Sequence, residues 1–165
     1  MRKAYQFLLP QIKVHIDVGP LSVFDRHRQT RFYHREAGGQ LFGSVGPRRW
    51  TVSHATGPNP EDRRFRFGFK PDRAREQAEI EDFHSRGFDY LGDWHTHPED
   101  LPRPSTRDLS SIDEIVRLSR HHLPGFLLCI VGRRMSAGDL WLSFHSGNGD
   151  AIRADPIVPN HGSSG

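Results

Sequence analysis

The stretch Gly92-Asp93-Trp94-His95-Thr96-His97-Pro98, followed by Pro104-Ser105-Thr106-Arg107-Asp108, constrains this chain more than any other. If Tyr90 to His95 is a strand, period-2 alternation puts His95 and His97 on one face. Pro98 then ends the strand, because it brings no backbone donor to a ladder. Ser105 and Asp108 stand at i and i+3 in the first turn of the next helix and share a face as well. Two neutral imidazoles and one carboxylate make a three-ligand set for a borderline cation, with a fourth position left for water, which is the pattern of a catalytic zinc site. Each half also has an ordinary reading. His-X-His pairs are often packed or exposed histidines, and Ser105-X-X-Asp108 is close to a capping box with Ser105 as N-cap. The short Pro-rich loop from Pro98 to Pro104 joins the halves and can fold the helix start back onto the strand end, so one turn can cap and ligate together.

His-X-His-Pro, then Pro-Ser-X-X-Asp with ten residues between the second His and the Asp, resembles the JAMM motif of JAB/MPN-domain zinc metalloproteases. That family also carries a Glu just before a Gly-Gly and an aliphatic strand, and this chain has Arg35-Glu36-Ala37-Gly38-Gly39-Gln40-Leu41-Phe42-Gly43. The likeness runs from about residue 10 to about residue 145 and is closer to the prokaryotic branch than to eukaryotic proteasome and signalosome subunits. Gln40 departs from the aliphatic residue usual there; it bears on packing or substrate contact.

The resemblance implies an α+β (mixed α/β) fold: a single JAB/MPN domain, cytidine-deaminase-like, with a curved, mostly antiparallel sheet flanked by helices. It implies one Zn2+ per chain on His95, His97 and Asp108, Glu36 as general base on the attacking water, and Ser105 as hydrogen-bond donor to the developing oxyanion. Asp93 shares the face of His95 by alternation; it reads equally as an acceptor that orients a ligand histidine and as a satisfied strand-end polar residue. Trp94 points the other way, to the core. His54, His84, His121, His122 and His145 lack a partner pattern and are assigned to no metal. The implied reaction is hydrolysis of the amide bond after the C-terminal Gly of a ubiquitin-like protein, in precursor processing or deconjugation. E1/E2-like operon partners, antiphage operons and integrative elements are its usual settings. The competing readings are a catalytically silent MPN-type scaffold, a hydrolase acting on a sulfur-carrier protein, and a basic nucleic-acid-associated factor.

Composition narrows these. At 165 residues one domain is the default, able to bury roughly 70% of its unfolded surface. No apolar run approaches the ~20 residues of a membrane helix, the N-terminus lacks a signal-peptide pattern, and a single cysteine, Cys129, fits a reducing cytoplasm. Cys129 lies in Phe126-Leu127-Leu128-Cys129-Ile130-Val131 and reads as a buried strand residue. The net charge of +3 comes from dispersed arginines, which permit a nucleic-acid or acidic-protein partner without establishing one; nucleic acid is not the expected partner. The oligomeric state is not encoded in any pattern seen here.

Along the chain, Gln11–Val18 alternates as a strand, Gly19-Pro20 reads as a break and Leu21–Arg31 as a short helix. Strands are expected from Gly38 through Val45, over Trp50–Thr56 and over Phe65–Phe69. A helix from Pro71-Asp72 to about Arg86 stops at Gly87. The metal-bearing strand is Phe88–His97. The helix Ser105–His122 turns Leu109, Ile112, Val116 and Leu118 to the core. Phe126–Val131 and Leu140–Phe144 are further strands. The JAB/MPN unit is set at 1–147, and 148–165 is an extension with one strand around Ile152–Val158 and a disordered end at 161–165.

Overall fold

The computed structural model describes residues 3–158. Its main sheet has nine strands, and two short strands form a separate hairpin. In chain order these are β1 (Tyr5–Leu8), β2 (Lys13–Ile16), β3 (Gly38–Val45), β4 (Arg49–Ala55), β5 (Arg63–Phe65), β6 (Gly68–Lys70), β7 (Asp89–Thr96), β8 (Gly125–Val131), β9 (Trp141–Ser146), β10 (Ala151–Arg153) and β11 (Asp155–Pro156). The helices are α1 (Val18–His27), α2 (Arg73–Ser85) and α3 (Thr106–Leu118). The sheet order is β10-β9-β8-β7-β3-β4-β2-β1-β11. Pairing is parallel only at β2–β4 and β7–β8. The expected α+β class, with a mostly antiparallel curved sheet and flanking helices, is what the chain adopts.

The curvature has a visible cause. β10 pairs with β9 at one end of the sheet and β11 pairs with β1 at the other, yet only Ala154 separates them. The Ala154 N–H donates to Leu142 in β9 (2.9 Å), and the Ile157 N–H to Gln6 in β1 (2.8 Å). One extended segment thus pairs at both ends of the sheet and covers part of each edge strand. The single strand expected over 152–158 is therefore two short ones; the disordered end expected at 161–165 lies outside the described residues.

β8 shows how the layers are built, because it is buried on both faces. Leu127, Cys129 and Val131 join a core with Leu21 and Phe24 of α1 and with Trp50, Leu91 and Trp94. Phe126, Leu128 and Ile130 meet Ile112 and Val116 of α3 on the other side. Burial pushes the Cys129 thiol up to about 12, as suits a strand residue of the core. Among the described residues no helix is long and apolar enough to cross a membrane.

Several local expectations are corrected. α1 begins at Val18, with Asp17 as N-cap, so Gly19-Pro20 lies inside its first turn; a proline is tolerated there because first-turn N–H groups have no intrahelical acceptor. In α3 only Ile112 and Val116 are buried, while Leu109 is 36% and Leu118 68% exposed. They flank an i, i+4 stripe that, with the half-buried Ile115, packs against the sheet. Phe65–Phe69 is not one strand but the β5–β6 hairpin, with Arg66 and Phe67 at its turn. β1 went unanticipated.

Candidate metal centre

β7 supplies His95, and His97 follows directly on its end. The strand pairs antiparallel with β3, with His95 opposite Gly38 and Asp93 opposite Gln40, and parallel with β8. Trp94 and Thr96 turn to the α1 side; Trp94 packs on Phe24 with ring centroids 5.0 Å apart. His95 and His97 turn to the side of α3. The Gly38-Gly39 pair is steric in origin. A Cβ on Gly39 would run into the Thr56 carbonyl, and one on Gly38 into the Phe69 ring and the Trp94 carbonyl.

Three atoms converge. His95 Nε2 and His97 Nε2 are 3.1 Å apart, and each is 3.2 Å from Asp108 Oδ2. Four donor atoms around a tetrahedral ion with bonds of about 2.0 Å are separated by about 3.3 Å. The triangle therefore fits a tetrahedral cation, and its donors are the imidazole-and-carboxylate set zinc favours. Glu36 Oε1 stands 3.9 Å from both nitrogens, and its acceptor lies within 4.8 Å of theirs.

The capping box is present and serves the triangle. Ser105 Oγ accepts from the Asp108 N–H (3.1 Å), and the Ser105 N–H donates to Asp108 Oδ2 (2.8 Å), the same oxygen that faces both histidines. Burial opposes ionisation of Asp108, but hydrogen bonds to His95, His97 and the Ser105 N–H outweigh it and hold the carboxyl well below its ordinary range. Burial also works to lower His97, but the Asp108 and Glu36 carboxylates outweigh it and raise the imidazole. Burial raises the Glu36 carboxyl, against the partial opposition of His95 and His97. His97 Nδ1 has no hydrogen-bond partner; the nearest carboxylate oxygen is on Glu99 at 3.8 Å.

Glu36, His95, His97, Ser105 and Asp108 all line one cleft of about 280 Å3, together with Asp93, Glu76 and Phe67. Asp93 accepts from the Tyr90 hydroxyl at 2.7 Å, and burial raises its carboxyl. Of the histidines left unassigned, His145 bonds Ser143 Oγ (2.8 Å) and His121 bonds backbone carbonyls.

Three groups at this site were not found in the sequence. Gln29 joins three segments: it accepts from Thr96 Oγ1 (2.9 Å) and donates to the carbonyls of Arg66 (2.8 Å) and His34 (3.3 Å). Arg64 and Phe65 clamp the Glu36 backbone: Arg64 Nε donates to its carbonyl (2.9 Å), and its N–H donates to the Phe65 carbonyl (2.6 Å). Glu76 is on the buried face of α2, and burial, then the Asp93 charge, pushes its carboxyl up to about 8. Only Glu76 had a signal, since Glu76, Ile80 and Phe83 form an i, i+4, i+7 stripe.

Residues 21–143 match the family model described as prokaryotic homologs of the JAB domain. The chain belongs to this prokaryotic JAB family. Relatives named CD-NTase/cGAS isopeptidase are 35% identical in Pseudomonas aeruginosa, over 87% of this chain and 90% of theirs. In Escherichia coli the figures are 35%, 70% and 71%. A solution structure of a Desulfitobacterium hafniense protein shares the fold, with a TM-score of 0.56 at 21% identity over 80% of this chain and 82% of that one. The JAB/MPN membership read from the motif, and the enzyme class it implied, an isopeptidase of JAB type, agree with these relatives.

Proposed function

We propose that this JAB-family chain is a zinc-dependent isopeptidase that hydrolyses the amide bond after the C-terminal Gly of a ubiquitin-like modifier, acting on conjugates that involve a CD-NTase, a cGAS-like protein. The observation that carries the reading is the 3.1–3.2 Å triangle of His95, His97 and Asp108 with Glu36 3.9 Å from both imidazoles. His95, His97 and Asp108 would hold one Zn2+, which when bound supplies Lewis acidity and lowers the pKa of water to about 7.

The chain's own residues do the rest. Glu36, its carboxyl raised by burial, takes the proton of the attacking water and hands it to the leaving lysine amine. Ser105 Oγ accepts from Asp108 N–H, which leaves its own O–H to donate to the oxyanion that develops on the scissile carbonyl. Asp93, held by the Tyr90 hydroxyl, stands in the cleft floor beside Glu76 and serves as a polar strand residue there. The setting that goes with this reading is antiphage defence in the cytoplasm, beside E1- and E2-like operon partners.

The test uses the purified protein supplied with zinc and a CD-NTase joined to a second protein through an isopeptide bond. Release of free CD-NTase is read on a gel, and metal is read by elemental analysis. Wild type is expected to carry one zinc per chain and cleave. Glu36→Gln is expected to keep the zinc and lose turnover; His95→Ala/Asp108→Ala is expected to lose both. A fully active Glu36→Gln removes Glu36 as the base. A wild type that takes up no zinc makes the chain a silent scaffold.

A further inference from the structure

Every exposed large aromatic side chain among the described residues lies on two segments that bracket Glu36. Phe32 (80% exposed) and Tyr33 (61%) are on the loop before it; Phe65 (62%) and Phe67 (78%) are on the β5–β6 hairpin. Contiguous exposed apolar surface of this kind marks an interaction site on a soluble domain. The two segments form one surface: the Arg66 guanidinium donates to the Phe32 carbonyl and lies 5.2 Å from the centroid of the Phe67 ring. It is continuous with the catalytic cleft, which Phe67 lines.

We propose that this surface is where the folded body of the protein substrate docks, a partner whose apolar patch is ringed by carboxylates. The proposal rests on the isopeptidase reading. Charge selects the partner. Arg31, Arg35 and Arg63 are exposed on the same two segments and make no ion pair among the described residues, so a matching acidic rim would complement them. The same arginines oppose a second copy of this chain, because a two-fold pairing sets like charges against each other. The rings do not form a base-stacking platform, since Phe32 meets Tyr33 edge-on at 86°. Docking here also presses on the residues that hold the base, because the Glu36 N–H donates to the Phe65 carbonyl and Arg64 donates to the Glu36 carbonyl.

The experiment measures Kd of the CD-NTase isopeptide conjugate for Glu36→Gln protein by calorimetry, alone and with Phe32→Ser/Tyr33→Ser or Arg31→Glu/Arg63→Glu added. In the active background, kcat/KM for the conjugate is compared with that for a short peptide ending in Gly-Gly-aminocoumarin. All these side chains project into solvent, and melting temperature and zinc content verify the fold. Each pair is expected to weaken conjugate binding at least about tenfold and to lower the conjugate-to-peptide ratio of kcat/KM by a similar factor through KM. The charge-reversal loss is expected to shrink at high salt. Patch-dependent binding without turnover in the wild type would sink the isopeptidase reading and leave the docking surface standing. Equal Kd and equal ratios in all variants would overturn the docking surface while the enzyme remained. So would a wild-type dimer that Phe32→Ser/Tyr33→Ser makes monomeric, or loss in Arg31→Glu/Arg63→Glu of binding to a single-stranded oligonucleotide with conjugate Kd unchanged.

Discussion

Replacing Gln29 by Leu should separate the placing of the base from the building of the metal centre. Gln29 is 1% exposed, and the substitution deletes three hydrogen bonds: with Thr96 Oγ1 at 2.9 Å, the Arg66 carbonyl at 2.8 Å and the His34 carbonyl at 3.3 Å. A typical bond contributes ~1 kcal/mol net, and a fully buried orphan costs more. Thr96 is fully buried, so its hydroxyl loses its acceptor outright; Arg66 and His34 are half-buried and regain water. The loss is about 2–4 kcal/mol, within the 5–15 kcal/mol typical of a domain, so the variant folds. Its effect on the base runs through two of the three segments it joins. His34 is two residues before Glu36, and Arg66 is the turn of the hairpin that clamps the Glu36 backbone. The third is β7, where Thr96 lies between His95 and His97, but the backbone there stays held by its own ladder, with the Thr96 N–H on the Ala37 carbonyl (2.8 Å) and the His97 N–H on the Val131 carbonyl (2.9 Å). A base displaced by about 1 Å costs up to ~100-fold. The expectation is a lower melting temperature, kcat down about 10–100-fold, and zinc content and KM for a short Gly-Gly peptide as in the wild type. Thr96→Val breaks the same junction from the other side, and the double variant should lose less than the sum of the singles. A Gln29→Leu protein with wild-type kcat would refute the reasoning, since the hairpin would then hold the fold without holding the base.

Asp108→Asn keeps an oxygen that can accept the Ser105 N–H but presents a neutral amide to the histidines, so zinc affinity should fall by at least about tenfold, and the melting temperature of the metal-free protein should fall too, because the charged hydrogen bonds that hold the carboxyl ionised are lost; equal zinc retention through dialysis would count against Asp108 as a ligand. Ser105→Ala should cost ~1 kcal/mol of stability as a lost N-cap and about 10²–10³ in kcat, and Ser105→Thr should recover most of both; a stability loss with kcat intact would leave Ser105 as a cap alone. Glu76 predicts a pH effect. Its folded carboxyl titrates near 8 against an ordinary 4.5. Between these values the folded state holds a proton that the unfolded state has released, so stability falls as pH rises through that window. Glu76→Gln, which carries no titrating proton, should flatten the decline in melting temperature from pH 5 to 8, and an unchanged slope would place the titration elsewhere.

What could be read from the sequence follows the range of the interactions that fix each part. His95 and His97 share a face because a strand alternates, and Ser105 and Asp108 meet because they are one helical turn apart. Both rules act over a few residues. Glu36 is brought in only by the β3–β7 register, and no pattern within its neighbourhood announces that pairing; a family likeness pointed to it. Gln29 is farther out of reach, since its three partners lie 5, 37 and 67 residues away. The same holds for β1, whose four residues have too little pattern to stand out and whose partners include β11 at the far end of the chain. Leu109 and Leu118 misled for another reason: a 13-residue helix that meets the sheet through Ile112 and Val116 leaves the leucines on either side of that stripe in water.

At Asp108 a capping role leaves room for the proposed ligand role. A carboxylate has about four lone-pair sites. One on Oδ2 takes the Ser105 N–H, and the same oxygen still faces both imidazoles. The cap fixes the rotamer of Asp108 as the helix forms, so the carboxylate is aimed before any ion arrives. The cost of ordering it is met by folding, not by binding. The helix N-terminus adds a partial positive charge that, with the Ser105 N–H, favours the ionised carboxylate, the form a metal requires. A capping residue with a shorter reach to its own helix than to the sheet would lose that aim. The Pro-rich link from Pro98 to Pro104 sets the reach by holding the first turn of α3 over the end of β7.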